Sequence, residues 1–191
     1  MTVYVSMLRG VNVGGHGRLK MAALKDAYAA IGLKDVHTLL QSGNVLFTSR
    51  VKDRQALAKR ITQEIERRFD LAVEVLIRTL DEIRMLVARG PTTPSADPNK
   101  LLVMFLARVP DARTQSALLK EYKGPEMIEI RGPEVYLYYP NGVGRSKLTN
   151  AFLENKLDAA GTARNWNTLT KIVELGATLE RVSRLENARA L

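Results

Sequence analysis

The chain has 191 residues, 46% apolar and 26% charged, with 29 Lys and Arg against 20 Asp and Glu for a formal charge of +9. This is the composition of a folded globular protein, and the lack of cysteine excludes disulfides, thiolate nucleophiles, zinc–thiolate sites and iron–sulfur clusters. No stretch reaches the roughly 18 apolar residues of a membrane helix and residues 1–9 lack the regions of a signal peptide, so a cytoplasmic location away from membranes is expected.

Residues 3–8 form a short, partly β-branched apolar run, which predicts a largely buried strand. Met21, Leu24, Tyr28 and Ile31 recur at helical spacing, and Gly32 follows where a helix end turns left-handed. Residues 36–40 and 45–47 read as strands joined by Gln41-Ser42-Gly43-Asn44, whose Gly and Asn suit a tight hairpin. Asp53 is placed to cap a second helix with Leu57, Ile61 and Ile65 on one stripe, and residues 72–77 close the set as a strand. The order βαββαβ is that of a ferredoxin-like unit, with two helices on one face of an antiparallel sheet.

Leu80, Ile83, Leu86 and Val87 predict a connecting helix, which Gly90 and prolines 91, 94 and 98 bring to a stop. The pattern then restarts: a strand at 101–106, a helix at 111–122, a hairpin of 127–131 with 135–139, and a helix from about 147 to 157. Residues 162–175 read as a further helix ending at Gly176, in place of the last strand. The predicted fold class is α+β: two ferredoxin-like halves, the second divergent and ending in helices. Residues 1–90 form the N-terminal domain with its connecting helix, 91–99 the linker and 100–191 the C-terminal domain.

Chemistry concentrates in four segments. Arg9-Gly10-Val11-Asn12-Val13-Gly14-Gly15-His16-Gly17-Arg18-Leu19-Lys20 joins the first strand to the first helix with four glycines, three fixed cations and no acid. Glycines let backbone N–H groups converge on an anion beside a helix N-terminus, which suits a phosphate. The segment is not a Walker A loop, because His16 and Gly17 stand where Lys and Ser or Thr are needed. Nor is it G-x-G-x-x-G, because Lys20 takes the last glycine's place. In the second segment, Ser42 and Asn44 present polar groups at the hairpin. Ser42 lacks an oriented base, since His37 lies along the preceding strand, so turn chemistry explains it better than nucleophilic catalysis.

The third segment, Asn141 to Leu148, reads as a counterpart of the first loop, with Ser146 as an N-cap and Arg145 and Lys147 beside it. The fourth, Gly161 to Lys171, surrounds the single tryptophan with hydrogen-bonding groups. There Arg164 suits bidentate contact with a phosphate and Asn165 a polar contact, while Trp166 is expected to fill the core rather than stack on a base.

Through Leu8-Arg9-Gly10-Val11-Asn12-Val13-Gly14-Gly15, Gln41-Ser42-Gly43-Asn44-Val45, Gly144-Arg145-Ser146-Lys147-Leu148 and Thr162-Ala163-Arg164-Asn165-Trp166-Asn167-Thr168, the sequence resembles the bacterial family called domain of unknown function 1697. The resemblance spans nearly the whole chain. It implies a small cytoplasmic α+β protein with ferredoxin-like organisation and brings no reaction, substrate or catalytic residue. Ala163 and the stretch beyond Gly176 depart from the family's pattern.

The segments together predict a phosphate-bearing ligand, a nucleotide or nucleic acid, held in a shared cleft. Its candidate residues are Arg9, Asn12, Gly14, Gly15 and Arg18 in the first loop, Ser42 and Asn44 in the hairpin, Arg145, Ser146 and Lys147 in the third segment, and Arg164 and Asn165 in the fourth. No metal site or cofactor is expected and no catalytic residue is assigned. The alternative is a non-catalytic interaction or homo-oligomeric structural protein that covers free sheet faces with a second copy.

Overall fold

Strands and helices follow one another as β1 (Thr2–Leu8), α1 (Met21–Ala30), β2 (Lys34–Leu39), β3 (Asn44–Ser49), α2 (Arg54–Phe69), β4 (Val75–Thr79) and α3 (Leu80–Arg89), then β5 (Leu101–Leu106), α4 (Ala112–Glu121), β6 (Met127–Arg131), β7 (Glu134–Tyr138), α5 (Asn150–Leu157), β8 (Gly161–Asn165) and α6 (Trp166–Arg189). The structure, a computed structural model, describes residues 1–12, 19–91 and 97–189. No helix among the described residues is long and apolar enough to cross a membrane.

The first four strands form an antiparallel sheet in the order β2-β3-β1-β4 and the last four another in the order β6-β7-β5-β8. The two sheets correspond strand for strand, so each half is a ferredoxin-like βαββαβ unit followed by a helix. The registers correspond as well. Val5 lies between Leu46 and Arg78, as Val103 lies between Tyr136 and Arg164. An arginine therefore occupies the penultimate place of the fourth strand in both copies, and each donates from Nη1 to the carbonyl of the residue before it, Ile77 or Ala163.

Local chemistry sets the element ends. The Asp53 carboxylate accepts from the N–H groups of Gln55 and Ala56 to start α2, and Asp70 ends it with a left-handed φ of 50°. Thr79 and Glu82 form a reciprocal capping box at α3. Asp111 caps α4 through the Thr114 N–H.

The second half does contain its last strand, which corrects the helix expected over 162–175. Gly161-Thr162-Ala163-Arg164-Asn165 has almost no apolar pattern, yet β8 pairs with β5 from Leu106↔Gly161 to Leu102↔Asn165. A Cβ on Gly161 would lie 2.8 Å from the Phe105 carbonyl oxygen, so glycine is needed for the strand's approach. Arg164 Nη1 and Thr162 Oγ1, 2.7 Å apart, satisfy each other on one face. Nor does Gly176 end a helix: α6 runs through it, and a Cβ there would lie 2.3 Å from Leu80 Cδ1. The glycine serves close packing against α3, where Arg84 also pairs with Glu180 at 2.9 Å.

Contacts divide the chain into two compact units, Met1–Ala88 with Thr170–Leu191, and Arg89–Leu169. Residues from Thr170 onward group with the first unit, whereas the sequence reading placed them in the second half. In the first unit Tyr4, Leu8, Tyr28, Val45, Phe47, Ile61 and Ile65 build the core between sheet and helices. The opposite face of β1, with Val3, Val5 and Met7, is buried too. In the second unit Met104, Leu118, Leu137, Tyr139, Leu153 and Leu157 form the corresponding core.

Candidate functional site

Strand direction brings the first two sequence segments to one end of the first sheet. Met7 pairs with Asn44 and Leu8 with Val75, so the exit of β1, the β2–β3 turn and the entry of β4 lie side by side. The Leu8 N–H donates to the Gly43 carbonyl and the Arg9 N–H to the Glu74 carbonyl, both at 2.9 Å. A Cβ on Gly43 would lie 2.5 Å from Val11 Cγ2 and 2.9 Å from Leu8 Cβ. The turn thus seats directly on the residues that open the first loop.

Asn12 ties this end together from a left-handed φ of 56°, a conformation asparagine tolerates better than most residues. Its Nδ2 donates to the Leu19 carbonyl at 3.2 Å and to the Gln41 carbonyl at 2.7 Å, and its Oδ1 accepts from the Leu19 N–H at 2.8 Å. One carboxamide closes the mouth of the loop and joins it to the β2–β3 turn. Asn44 is buried, and its Nδ2 donates to the Leu39 carbonyl and Ser42 Oγ, each at 3.0 Å. Both asparagines position the backbone.

Arg9, Lys20 and Ser42 are exposed at this end. Lys20 precedes α1 and makes no capping hydrogen bond through its side chain, and the first turn of α1 carries no acid. Gly14, Gly15 and Arg18 lie outside the described residues, as does His16.

The third and fourth segments belong to the second unit. There Ser146 Oγ donates to Glu126 Oε1 at 2.5 Å and accepts from the Leu148 N–H at 2.9 Å. The Tyr122 hydroxyl donates to the other Glu126 oxygen. A Cβ on Gly124 would lie 2.1 Å from that hydroxyl oxygen, so glycine lets the segment close around the carboxylate. Burial opposes ionisation of Glu126, but the hydroxyls of Ser146 and Tyr122 outweigh it and hold the carboxyl below its usual range. Burial and the adjacent carboxylate push the Tyr122 hydroxyl up to about 12.

Ser146 therefore anchors a turn, and the N-cap of α5 is Thr149, whose Oγ1 accepts from the Phe152 N–H at 3.1 Å. Topology also corrects the likeness of this segment to the first loop. It joins β7 to α5 and corresponds to the connection between β3 and α2, whereas the first loop's counterpart joins β5 to α4 and ends in the capping Asp111. Arg145 and Lys147 are exposed and form no ion pair with a described residue.

Arg164 is buried against its own strand, with Nη1 donating to Thr162 Oγ1 and to the Ala163 carbonyl. Burial pulls its guanidinium down to about 10. Asn165 latches the start of α6: its Nδ2 donates to the Pro98 and Asn99 carbonyls at 3.3 and 3.1 Å, and its Oδ1 accepts from the Asn167 N–H. Trp166 is half-buried at the first position of α6. Within the units, then, the first segment joins the second, the third joins Tyr122 and Glu126, and the fourth joins residues 98 and 99.

Sequence reasoning missed Glu126, Tyr122 and Gly124. The cue was weak, since Lys123-Gly124-Pro125 reads as an ordinary loop and a tyrosine four residues before a glutamate suggests a pair only inside a helix.

The sequence profile of the family described as "Protein of unknown function (DUF1697)" matches residues 1–136. That span holds the first two segments, and the third and fourth lie beyond it. No curated protein matches the chain. Among solved structures, the conserved bacterial protein SP0830 from Streptococcus pneumoniae is similar with a TM-score of 0.71 and 20% identity, over 91% of this chain and 97% of that one. At that identity the likeness shows the fold. The interlocked Leu8–Asn12 and Gln41–Asn44 segments both fall within the profile match, which covers well over half of the sequence, and the chain belongs to the DUF1697 family.

Proposed function

We propose that the chain binds a phosphate-bearing ligand at the end of the first unit where the loop of residues 9–20 meets the β2–β3 turn. One observation carries this reading: the Asn12 carboxamide fixes both ends of a loop that holds three glycines between them. The wider segment 9–20 has three fixed cations and no acid. A loop closed in advance loses less entropy on binding, and glycine backbone amides with Arg side chains are the groups that hold phosphate oxygens. The third segment supplies exposed Arg145 and Lys147, but its serine is occupied by Glu126.

Thermal unfolding against inorganic phosphate, pyrophosphate, nucleotides and short RNA and DNA tests the reading. A ligand at 100 times its Kd adds about 2.7 kcal/mol, or about 5–10 °C for a chain of this length. Arg9→Ala should lose the shift and Lys123→Ala should keep it. If no phosphate-bearing compound raises the midpoint, the reading is wrong. The alternative, a homo-oligomeric interaction protein, then predicts a concentration-dependent mass in sedimentation.

A further inference from the structure

The second unit carries a surface that the phosphate reading leaves unused. Two segments build it: residues 122–127, which lead from α4 into β6, and residues 138–148, which lead from β7 towards α5. Strand pairing sets Met127 opposite Tyr138, and Ser146 donates to Glu126 at 2.5 Å, so the two segments lie side by side. Hydrogen bonds fix the longer one. The Gly142 N–H donates to the Tyr139 carbonyl at 3.0 Å and the Ser146 N–H to the Val143 carbonyl at 3.1 Å. The Tyr139 hydroxyl donates to the Leu148 carbonyl at 2.9 Å, and Lys100 Nζ to the Pro140 carbonyl at 2.8 Å. A surface tied in this way has little left to order on binding.

Its chemistry is one-sided. The two segments contain Lys123, Arg145 and Lys147, and one acid, Glu126. All three cations are exposed, whereas the two Glu126 oxygens accept from the hydroxyls of Ser146 and Tyr122. Among the cations stand two large apolar side chains open to water, Met127 at 55% and Val143 at 45% exposure. Cations interspersed with exposed apolar groups complement a partner that is acidic and has an apolar side chain to bury. A nucleic-acid backbone would meet the cations and gain nothing from Met127 and Val143, while a methionine adapts to apolar side chains of varied shape.

We propose that this surface of the second unit docks a short acidic segment of another protein, one that carries an apolar side chain between its carboxylates. Lys123, Arg145 and Lys147 meet the carboxylates, and Met127 and Val143 take the apolar side chain. The phosphate site proposed above belongs to the other unit, so either can fail alone.

The test is a titration of the full chain, followed in ¹H–¹⁵N spectra at low salt, with the end-blocked peptide Asp-Glu-Leu-Asp-Glu-Leu-Asp-Glu. The same peptide with serine in place of leucine and a single-stranded RNA decamer serve as comparisons. The expected result is saturable shifts at residues 123–127 and 142–148, with the leucine peptide at least about fivefold tighter than the serine peptide. Met127→Ser should bring the two peptides together. Arg145→Glu with Lys147→Glu should weaken the leucine peptide at least about tenfold. Lys25→Glu with Lys59→Glu, which reverses two exposed cations of the first unit, should leave its Kd within about twofold. The same spectra report whether each variant keeps its fold. Absence of saturable shifts at these residues, equal affinity for the two peptides, equal losses in the two double variants, or RNA binding there more tightly than the leucine peptide would each overturn the proposal.

Discussion

Replacing Gly43 by alanine perturbs the point where the β2–β3 turn meets the first loop. Gly43 has a φ of +72°, and an added Cβ would lie 2.5 Å from Val11 Cγ2 and 2.9 Å from Leu8 Cβ. Leu8 Cβ is fixed to a strand backbone and Val11 is buried, so neither yields without moving the loop. The left-handed backbone costs an alanine about 1–2 kcal/mol, and overpacking adds about 1–3 kcal/mol. Gly10 provides the control, because it has the same φ of +72° and open space where its Cβ would stand. Gly10→Ala should therefore carry the first penalty alone. At about 2–4 °C per kcal/mol, Gly43→Ala should melt about 2–12 °C below Gly10→Ala in differential scanning calorimetry. Equal midpoints, or a milder effect at Gly43, would refute the interlock between turn and loop.

Asn12→Ala removes three hydrogen bonds and strands the Leu19 N–H, so it should cost about 2 kcal/mol in denaturant unfolding and also weaken pyrophosphate binding. Gly176→Ala drives a Cβ into Leu80 and should destabilise by about 1–3 kcal/mol, with a double-mutant cycle against Leu80→Ala recovering much of the loss. The third prediction concerns pH. The native Glu126 carboxyl is held below its ordinary value of 4.5. It therefore contributes stability above the unfolded value, and that contribution disappears as pH falls through the lower native value. Glu126→Gln should accordingly melt below the parent at pH 7, with the gap closing as pH falls through the native Glu126 value, as paired thermal melts would read.

The alternation of periods made the first half legible almost to its ends. Asp53 caps α2 as expected, Gly32 follows α1 with a φ of +79°, and Gln41–Asn44 forms the turn. What the residues concealed was β8. Its polar, glycine-led sequence is stabilised by register against β5, a tertiary contact that a local pattern does not carry. Gly176 misled for a similar reason, since a glycine selected for close packing looks like one selected to end a helix.

At the candidate site, several residues singled out for ligand contact are engaged with the protein's own backbone. Asn12, Asn44 and Asn165 all direct donors to backbone carbonyls, so polar side chains that suggest ligand contacts serve as local ties. Arg164 is buried and bonded within its strand. Arg9 is exposed at the exit of β1.

The most direct test is an amide-resolved one: ¹H–¹⁵N spectra of the full chain titrated with inorganic pyrophosphate. The account predicts saturable shifts at residues 9–12, 20–23 and 41–43, where the loop, the start of α1 and the turn meet, with residues 145–147 unmoved. Saturable shifts centred on 145–147, or none around the first loop at any concentration, would contradict it.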